Sequence, residues 1–155
     1  MASHIDGWHL SLSLSSNLTP GGWAEFQDFD LCVKPYDETV RETDDPVRWG
    51  RLVVQAAHQA GLEPSPGPRL EGWVREAGFV NVTHRRFKIP SSAWPKDAAL
   101  KKLGAYLLAV NLQGLEGYSL RLLCDVLGWK EAEVHVLLAG VRRMLKDVRW
   151  HGFWE

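Results

Sequence analysis

The spacing of apolar residues predicts helices in the middle of this 155-residue chain. Asp45-Pro46 is typical of a helix start, because an acidic cap precedes a proline in the first turn. The helix is expected to end at Gly61, since glycine commonly follows the last turn. A second helix is predicted over 70–77, and Gly78 ends it in the same way.

Three more helices are predicted in the second half of the chain. One begins at Asp97 and another at Ser119. The third covers 130–147 and has its apolar residues on one stripe, as expected for a helix with one buried face. The stripe consists of Val134, Leu137, Leu138, Val141 and Leu145.

Four segments predict strands. Residues 9–15 alternate leucine with serine, a period of two that is typical of a half-buried strand. The other three segments are 23–29, which follows a Pro-Gly-Gly turn, 79–89 and 148–154. Together the elements predict one α/β domain over 1–155, with a small mixed sheet of three or four strands packed with four or five helices.

Composition argues against several classes of function. The formal net charge of −1 gives no electrostatic reason to bind nucleic acid or an anionic membrane. Cys32 and Cys124 are isolated, and the histidines lack the spacing of metal ligands, so no metal site is predicted. No apolar run is long enough to span a bilayer and no signal segment is recognisable, so we expect a soluble cytoplasmic protein without membrane contact.

Candidate proton-transfer groups cluster in the predicted strand 23–29. Glu25, Gln27 and Asp28 are polar positions within an apolar region. A carboxylate buried there would have a raised pKa and could act as a general acid or base. The alternative is a structural carboxylate that a nearby helix terminus satisfies.

Eight tryptophans are the unusual feature of the composition. Most such rings bury apolar area in the core, but two or three could instead line a pocket for a flat, apolar molecule. His151 lies among aromatic residues at the last predicted strand and is a third catalytic candidate. The predicted substrate-binding residues are Trp23, Gln27, Tyr36, Trp94 and Trp150.

Several short motifs follow one another along the chain. They are Pro20-Gly21-Gly22-Trp23-Ala24-Glu25, Glu76-Ala77-Gly78-Phe79-Val80-Asn81-Val82, Lys88-Ile89-Pro90 with Trp94-Pro95-Lys96-Asp97, and a final His151-Gly152-Phe153. In this order they resemble the C-terminal half of the fungal LaeA-like class I methyltransferases. The resemblance implies a Rossmann-like half fold in which Glu25 and His151 line the crevice. It also implies that the loop Tyr36-Asp37-Glu38-Thr39 reaches the acceptor substrate, although a solvated loop is the simpler interpretation.

Those enzymes use S-adenosylmethionine, held by a glycine-rich loop that follows the first strand of the sheet. This sequence has no such loop, so the resemblance implies a truncated chain without a cofactor. We expect a protein of fungal secondary metabolism that is repurposed as a cofactor-independent cyclase or isomerase for a hydrophobic natural-product intermediate. The alternatives are a non-catalytic partner that complements or binds a methyltransferase, and a fragment whose parent transfers methyl groups. An exposed edge of the strand 23–29 also predicts a homodimer.

Overall fold

The computed structural model describes residues 18–155, which form four α-helices and a small three-stranded antiparallel sheet. The helices are α1 (Asp45–Gln59), α2 (Gly67–Glu76), α3 (Ala98–Leu120) and α4 (Glu131–Leu145). The strands are β1 (Lys34–Pro35), β2 (Ile89–Pro90) and β3 (Gly152–Trp154). The predicted α/β class is confirmed, but both strand pairs are antiparallel, so the sheet is not mixed.

The helices lie close to their local sequence signals, although Asp44 and not Asp45 is the cap residue of α1, and α2 begins at Gly67, three residues before the predicted start. Asp97 caps α3, because its carboxylate accepts a 2.8 Å hydrogen bond from the backbone N–H of Leu100. Gly61 and Gly78 follow α1 and α2 with φ values of 75° and 91°, a conformation that glycine adopts without strain. The apolar stripe predicted for α4 is buried along its whole length.

The predicted helix start at Ser119 is wrong. Helix α3 runs to Leu120 and continues as a π-helical segment, Arg121–Val126. Ser119 does not cap a helix, because its hydroxyl is buried and donates to the carbonyl oxygen of Leu115 one turn earlier, at 2.5 Å. The hydroxyl oxygen of Ser119 also accepts a 2.8 Å hydrogen bond from the indole N–H of Trp49, which joins α3 to α1.

Two of the predicted strands are wrong for most of their length. Residues 23–29 form no strand within 18–155, and the side chain of Trp23 is 89% exposed. In 79–89 only the end forms a strand, because Asn81 adopts a positive φ of 56° that interrupts the extended run. Among residues 18–155, the strand edge expected to form a homodimer is therefore not found. The strand predicted over 9–15 lies outside the described residues.

The sheet order is β1-β3-β2, so β3 is the central strand. Phe153 lies opposite Lys34 on one side and opposite Pro90 on the other. All three residues of β3 are buried. Helices α1, α3 and α4 pack around the main apolar core, which includes Trp49, Leu115 and Leu138. Within the described range, none of the helices is long and apolar enough to cross a membrane.

Candidate functional site

The ends of the three strands bring Tyr36, Trp94 and His151 together in an aromatic surface. Tyr36 directly follows β1 and His151 directly precedes β3, and the backbone N–H of Tyr36 donates to the carbonyl oxygen of His151 at 3.0 Å. Trp94 comes four residues after β2. Its ring centroid lies 4.8 Å from that of Tyr36 and 4.9 Å from the imidazole of His151. We call these three side chains, with Phe153, the aromatic surface.

The rings of the aromatic surface are fixed in place. The indole N–H of Trp94 donates to the carbonyl oxygen of Gly152 at 3.0 Å, which sets the orientation of that ring. Tyr36 meets Phe153 edge to face, with 6.4 Å between the centroids and 85° between the planes. Such spacing lies within the range of favourable aromatic pairs. Since Tyr36 is exposed and Trp94 is only partly buried, this surface is open to a ligand.

His151 and Asp37 form a hydrogen-bonded pair beside these rings. The imidazole Nδ1 lies 2.5 Å from Oδ2 of Asp37. The other carboxylate oxygen accepts from both the hydroxyl and the backbone N–H of Thr39, at 2.6 and 3.0 Å. These hydrogen bonds lower the pKa of Asp37 to about 2, and the one from His151 has the largest effect.

This pairing determines which nitrogen of His151 can do chemistry. An ionised carboxylate only accepts hydrogen bonds, so Nδ1 keeps its proton and donates a hydrogen bond to Asp37. The backbone N–H of His151 donates to the Thr39 hydroxyl at 2.9 Å, which holds the residue against the loop. Nε2 is then the nitrogen available to take or give a proton, as in other carboxylate-oriented histidines.

Lys88 places a positive charge beside the aromatic surface. Its Nζ lies 4.8 Å from the ring centroid of Phe153 and 5.8 Å from that of Tyr36, within the range of cation–π attraction. The side chain is exposed, so it can also reach a ligand. An ammonium group here would stabilise negative charge on an oxygen of a bound molecule.

Trp150 has a different environment from the one predicted. It is buried in the core, and its indole N–H donates to Oδ2 of Asp44 at 2.8 Å. It borders a shallow groove of about 420 Å³ that also contains Thr39 and Asp44. Trp150 thus supports the loop before α1, and its role as a substrate-binding residue stays a prediction.

The remaining candidates lie away from the aromatic surface, on the segment 23–29. Glu25, Gln27 and Asp28 are all exposed, so the buried crevice expected around them is not present. Gln27 donates to Glu25 at 2.8 Å, and Asp28 accepts from the next backbone N–H at 2.8 Å. These contacts are local and join no other element. Trp23 is almost fully exposed on the same segment.

The sequence predicted His151, Tyr36 and Trp94 as site residues but did not predict that Asp37 orients His151. Asp37 and His151 are 114 positions apart, and no local pattern connects them. The available signal was the Asp37-x-Thr39 spacing, which favours a turn closed by the aspartate side chain. The role of Lys88 had no signal, because its aromatic neighbours come from different strands.

The absence of an S-adenosylmethionine site from this chain stays a prediction. Such a cofactor requires a glycine-rich loop between a strand and the following helix. The positive-φ glycines of residues 18–155 are Gly21, Gly61, Gly78 and Gly128, and each lies in a turn or just after a helical segment. The same part of the chain contains no group of three or more metal-ligating side chains.

Comparison with known proteins identifies the class to which this sequence is related. The chain is 37% identical to a probable methyltransferase, tdiE, of Emericella nidulans over 139 residues, which is 90% of the chain and 44% of that relative. It is also 37% identical over 143 residues to the methyltransferase pytC of Aspergillus terreus, covering 92% and 44%. The secondary metabolism regulator LAE1 of Cochliobolus heterostrophus is 25% identical over 152 residues, covering 96% and 50%.

These matches confirm the predicted resemblance. The chain is similar to fungal methyltransferases and to a regulator of secondary metabolism, and it corresponds to the C-terminal part of these relatives. It spans half or less of the length of these three relatives. No protein-family profile matches the chain, and no solved structure is similar to it.

Proposed function

We propose that this chain provides the acceptor-binding part of a fungal natural-product methyltransferase. The observation that carries the proposal is the Asp37–His151 pair beside an open aromatic surface, in a chain whose relatives are named methyltransferases. The acceptor would be a flat, hydrophobic molecule with an ionisable hydroxyl group. Aromatic rings bind the apolar body of such a molecule and leave its polar edge free for chemistry.

The proposed contribution to the reaction is proton removal. Nε2 of His151 takes the proton from the acceptor hydroxyl, which makes the oxygen a better nucleophile. Asp37 stabilises the imidazolium that forms, since its ionised carboxylate already accepts from Nδ1. Lys88 stabilises the developing oxyanion. S-adenosylmethionine would supply the methyl group, and residues other than 18–155 would have to hold it.

Binding and proton transfer can be tested on the purified chain. A naphthol is a suitable probe, because it combines a flat apolar ring with an acidic hydroxyl. Titration of the chain with 2-naphthol, followed by tryptophan fluorescence and by ligand-observed NMR, is expected to show saturable binding that Trp94→Ala weakens. Binding is expected to lower the pKa of the naphthol hydroxyl, because Nε2 of His151 takes its proton. His151→Ala is expected to abolish this shift. The control is His84→Ala, since His84 also pairs with a carboxylate, Glu71 at 3.2 Å, but away from this site.

Methyl transfer is tested separately with labelled S-adenosylmethionine. Calorimetric binding of that cofactor by the chain alone would overturn the prediction that the chain has no cofactor site. Transfer of label to an acceptor, lost in Asp37→Asn and retained in His84→Ala, would support the proposal. A chain that binds neither naphthols nor other flat hydroxyarenes would overturn it and favour the non-catalytic partner role.

A second function is a cofactor-independent proton shift, as in a cyclase or isomerase. One observation favours it: the described residues contain an acid–base pair beside an aromatic surface, and none of their positive-φ glycines lies in a loop between a strand and the helix that follows it. The distinguishing measurement is deuterium incorporation into a hydrophobic ketone in heavy water without S-adenosylmethionine. Incorporation that requires His151 supports this second function, and its absence rejects it.

The cytoplasmic location stays a prediction.

A further inference from the structure

The outward face of α3 carries an apolar seam. On the inward side of this helix Gly104, Leu115 and Ser119 are buried. The opposite side is exposed although most of its residues are apolar or small. We call the following six residues the α3 seam: Ala99, Leu103, Tyr106, Val110, Gln113 and Gly117.

The spacing of the seam is that of a helix–helix interface. Its positions are separated by four, three, four, three and four residues, which is the alternation of core positions in paired helices. Tyr106 is 62% and Val110 is 54% exposed. A solvated helix face normally carries charged side chains at such positions. The seam therefore has the pattern of a surface that another helix covers.

We propose that the occupant is the same helix of a second copy of this chain, packed antiparallel. With the two-fold axis at the middle of the seam, Tyr106 faces Val110 of the partner subunit. Leu103 then faces Gln113 of the partner subunit. At the ends Ala99 faces Gly117 of the partner subunit, and two small residues allow the helices to approach closely. An isologous contact of this kind requires a self-complementary surface, and the seam meets that condition.

Charge also favours the antiparallel arrangement over the parallel one. Lys102 and Glu116 lie on the same flank of the seam, near its opposite ends. Antiparallel packing brings Lys102 close to Glu116 of the partner subunit. Parallel packing would instead place Lys102 and Glu116 of the partner subunit on opposite sides of the interface, so this ion pair would not form. Glu116 accepts from Arg142 at 2.6 Å, but its side chain remains half exposed and can accept a second donor.

This surface is different from the one that the sequence suggested for a dimer. Within the part of the chain that the structure describes, the segment 23–29 forms no strand. The α3 seam is a regular helix face of 19 residues from Ala99 to Gly117, about 27 Å long at the usual helical rise. The proposal is independent of the function of the aromatic surface.

The proposal is tested by sedimentation equilibrium of the full chain between 1 and 100 µM. This is roughly the concentration range in which modest interfaces dissociate. The native chain is expected to be a dimer at the upper end. Val110→Glu is expected to weaken dimerisation by about 100-fold or more, because it places two carboxylates in the seam. The matched control is Val136→Glu on α4, where Val136 is 76% exposed and outside the seam. Circular dichroism checks that both variants keep their helix content.

Orientation is tested by oxidative cross-linking. In the antiparallel dimer the two copies of residue 99 are about 27 Å apart, so Ala99→Cys alone should not cross-link above the level of the native chain. The double variant Ala99→Cys with Gly117→Cys should form a covalent dimer. Cross-linking by Ala99→Cys alone would show a parallel pair and overturn the arrangement. A native chain that is monomeric throughout, or a dimer that Val110→Glu leaves intact, would overturn the proposal and point to a different protein on this face.

Discussion

The buried hydrogen bond between Trp49 and Ser119 allows a sharp test of the packing between α1 and α3. The Ser119 hydroxyl accepts from the indole N–H at 2.8 Å and donates to the Leu115 carbonyl at 2.5 Å. Both Trp49 and Ser119 are buried. Ser119→Ala removes the acceptor and leaves the indole N–H in the core without a partner.

The expected cost follows from desolvation. A buried donor that loses its partner costs about 1–3 kcal/mol, whereas the hydrogen bond itself contributes about 1 kcal/mol net. The Leu115 carbonyl keeps its helical hydrogen bonding, so it adds little. We therefore expect Ser119→Ala to lower the free energy of unfolding by about 1–3 kcal/mol.

The structure supplies a control with the same chemical change. Ser92 is as buried as Ser119, but its hydroxyl has no hydrogen-bond partner within residues 18–155. Removing an unsatisfied buried hydroxyl should be neutral or stabilising, so Ser92→Ala is expected to have the opposite or no effect. Urea unfolding followed by circular dichroism measures both variants. Trp49→Phe and the double variant complete a double-mutant cycle for the pair.

Equal losses of stability in Ser119→Ala and Ser92→Ala would refute this reasoning. The cost would then come from removing a hydroxyl in general and not from the Trp49 hydrogen bond. A Ser119→Ala chain as stable as the native protein would show that the indole N–H finds water or another acceptor.

Two further predictions concern the aromatic surface and the helix packing. In His151→Ala the pKa of Asp37 should rise from about 2 toward its ordinary value near 4, measured by carbon-detected NMR. Because the folded-state pKa of Asp37 is depressed, its contribution to stability is present above about pH 4 and is lost as the pH falls toward 2, and this loss should be smaller in the variant. Gly104→Ala should destabilise α3 by roughly 1–3 kcal/mol, since the added methyl group meets the carbonyl oxygen of Ser92. Gly72→Ala in α2, where nothing lies within 4 Å, should instead stabilise by about 0.5–1 kcal/mol, and calorimetric unfolding of both variants measures the difference.

Helices were predictable from this sequence because their signals are local. Proline after Asp45, the capping Asp97 and the stripe on α4 each depend on residues within a turn or two of one another. The boundary at Ser119 failed for the opposite reason. Its hydroxyl is used by Trp49, 70 positions away, so a residue that favours helix starts lies inside a helix.

Strands were less predictable because a strand requires a partner. The alternation in 79–89 is typical of a strand, but β3 already pairs with β1 and with the short β2, and each of these partners has only two residues. Phe87 and Val80 are mostly exposed as a result.

The candidate site likewise combines residues that local signals predict with contacts that only the tertiary fold creates. Tyr36, Trp94 and His151 could be proposed singly from residue type and from the resemblance, but their meeting depends on the order of strands in the sheet. Glu25 and Asp28 were proposed on the assumption that 23–29 is buried in a sheet, and that assumption was wrong.

The position of β3 in the sheet determines when the site can form during folding. This central strand comes last among the described elements, and both of its neighbours precede it by more than 60 residues. Closing such long loops is slow compared with helix formation, and a nascent chain emerges with its N-terminal residues first. The helices can therefore form while the aromatic surface does not yet exist. His151 reaches Asp37 only when the final strand docks, so the acid–base pair reports completion of the fold.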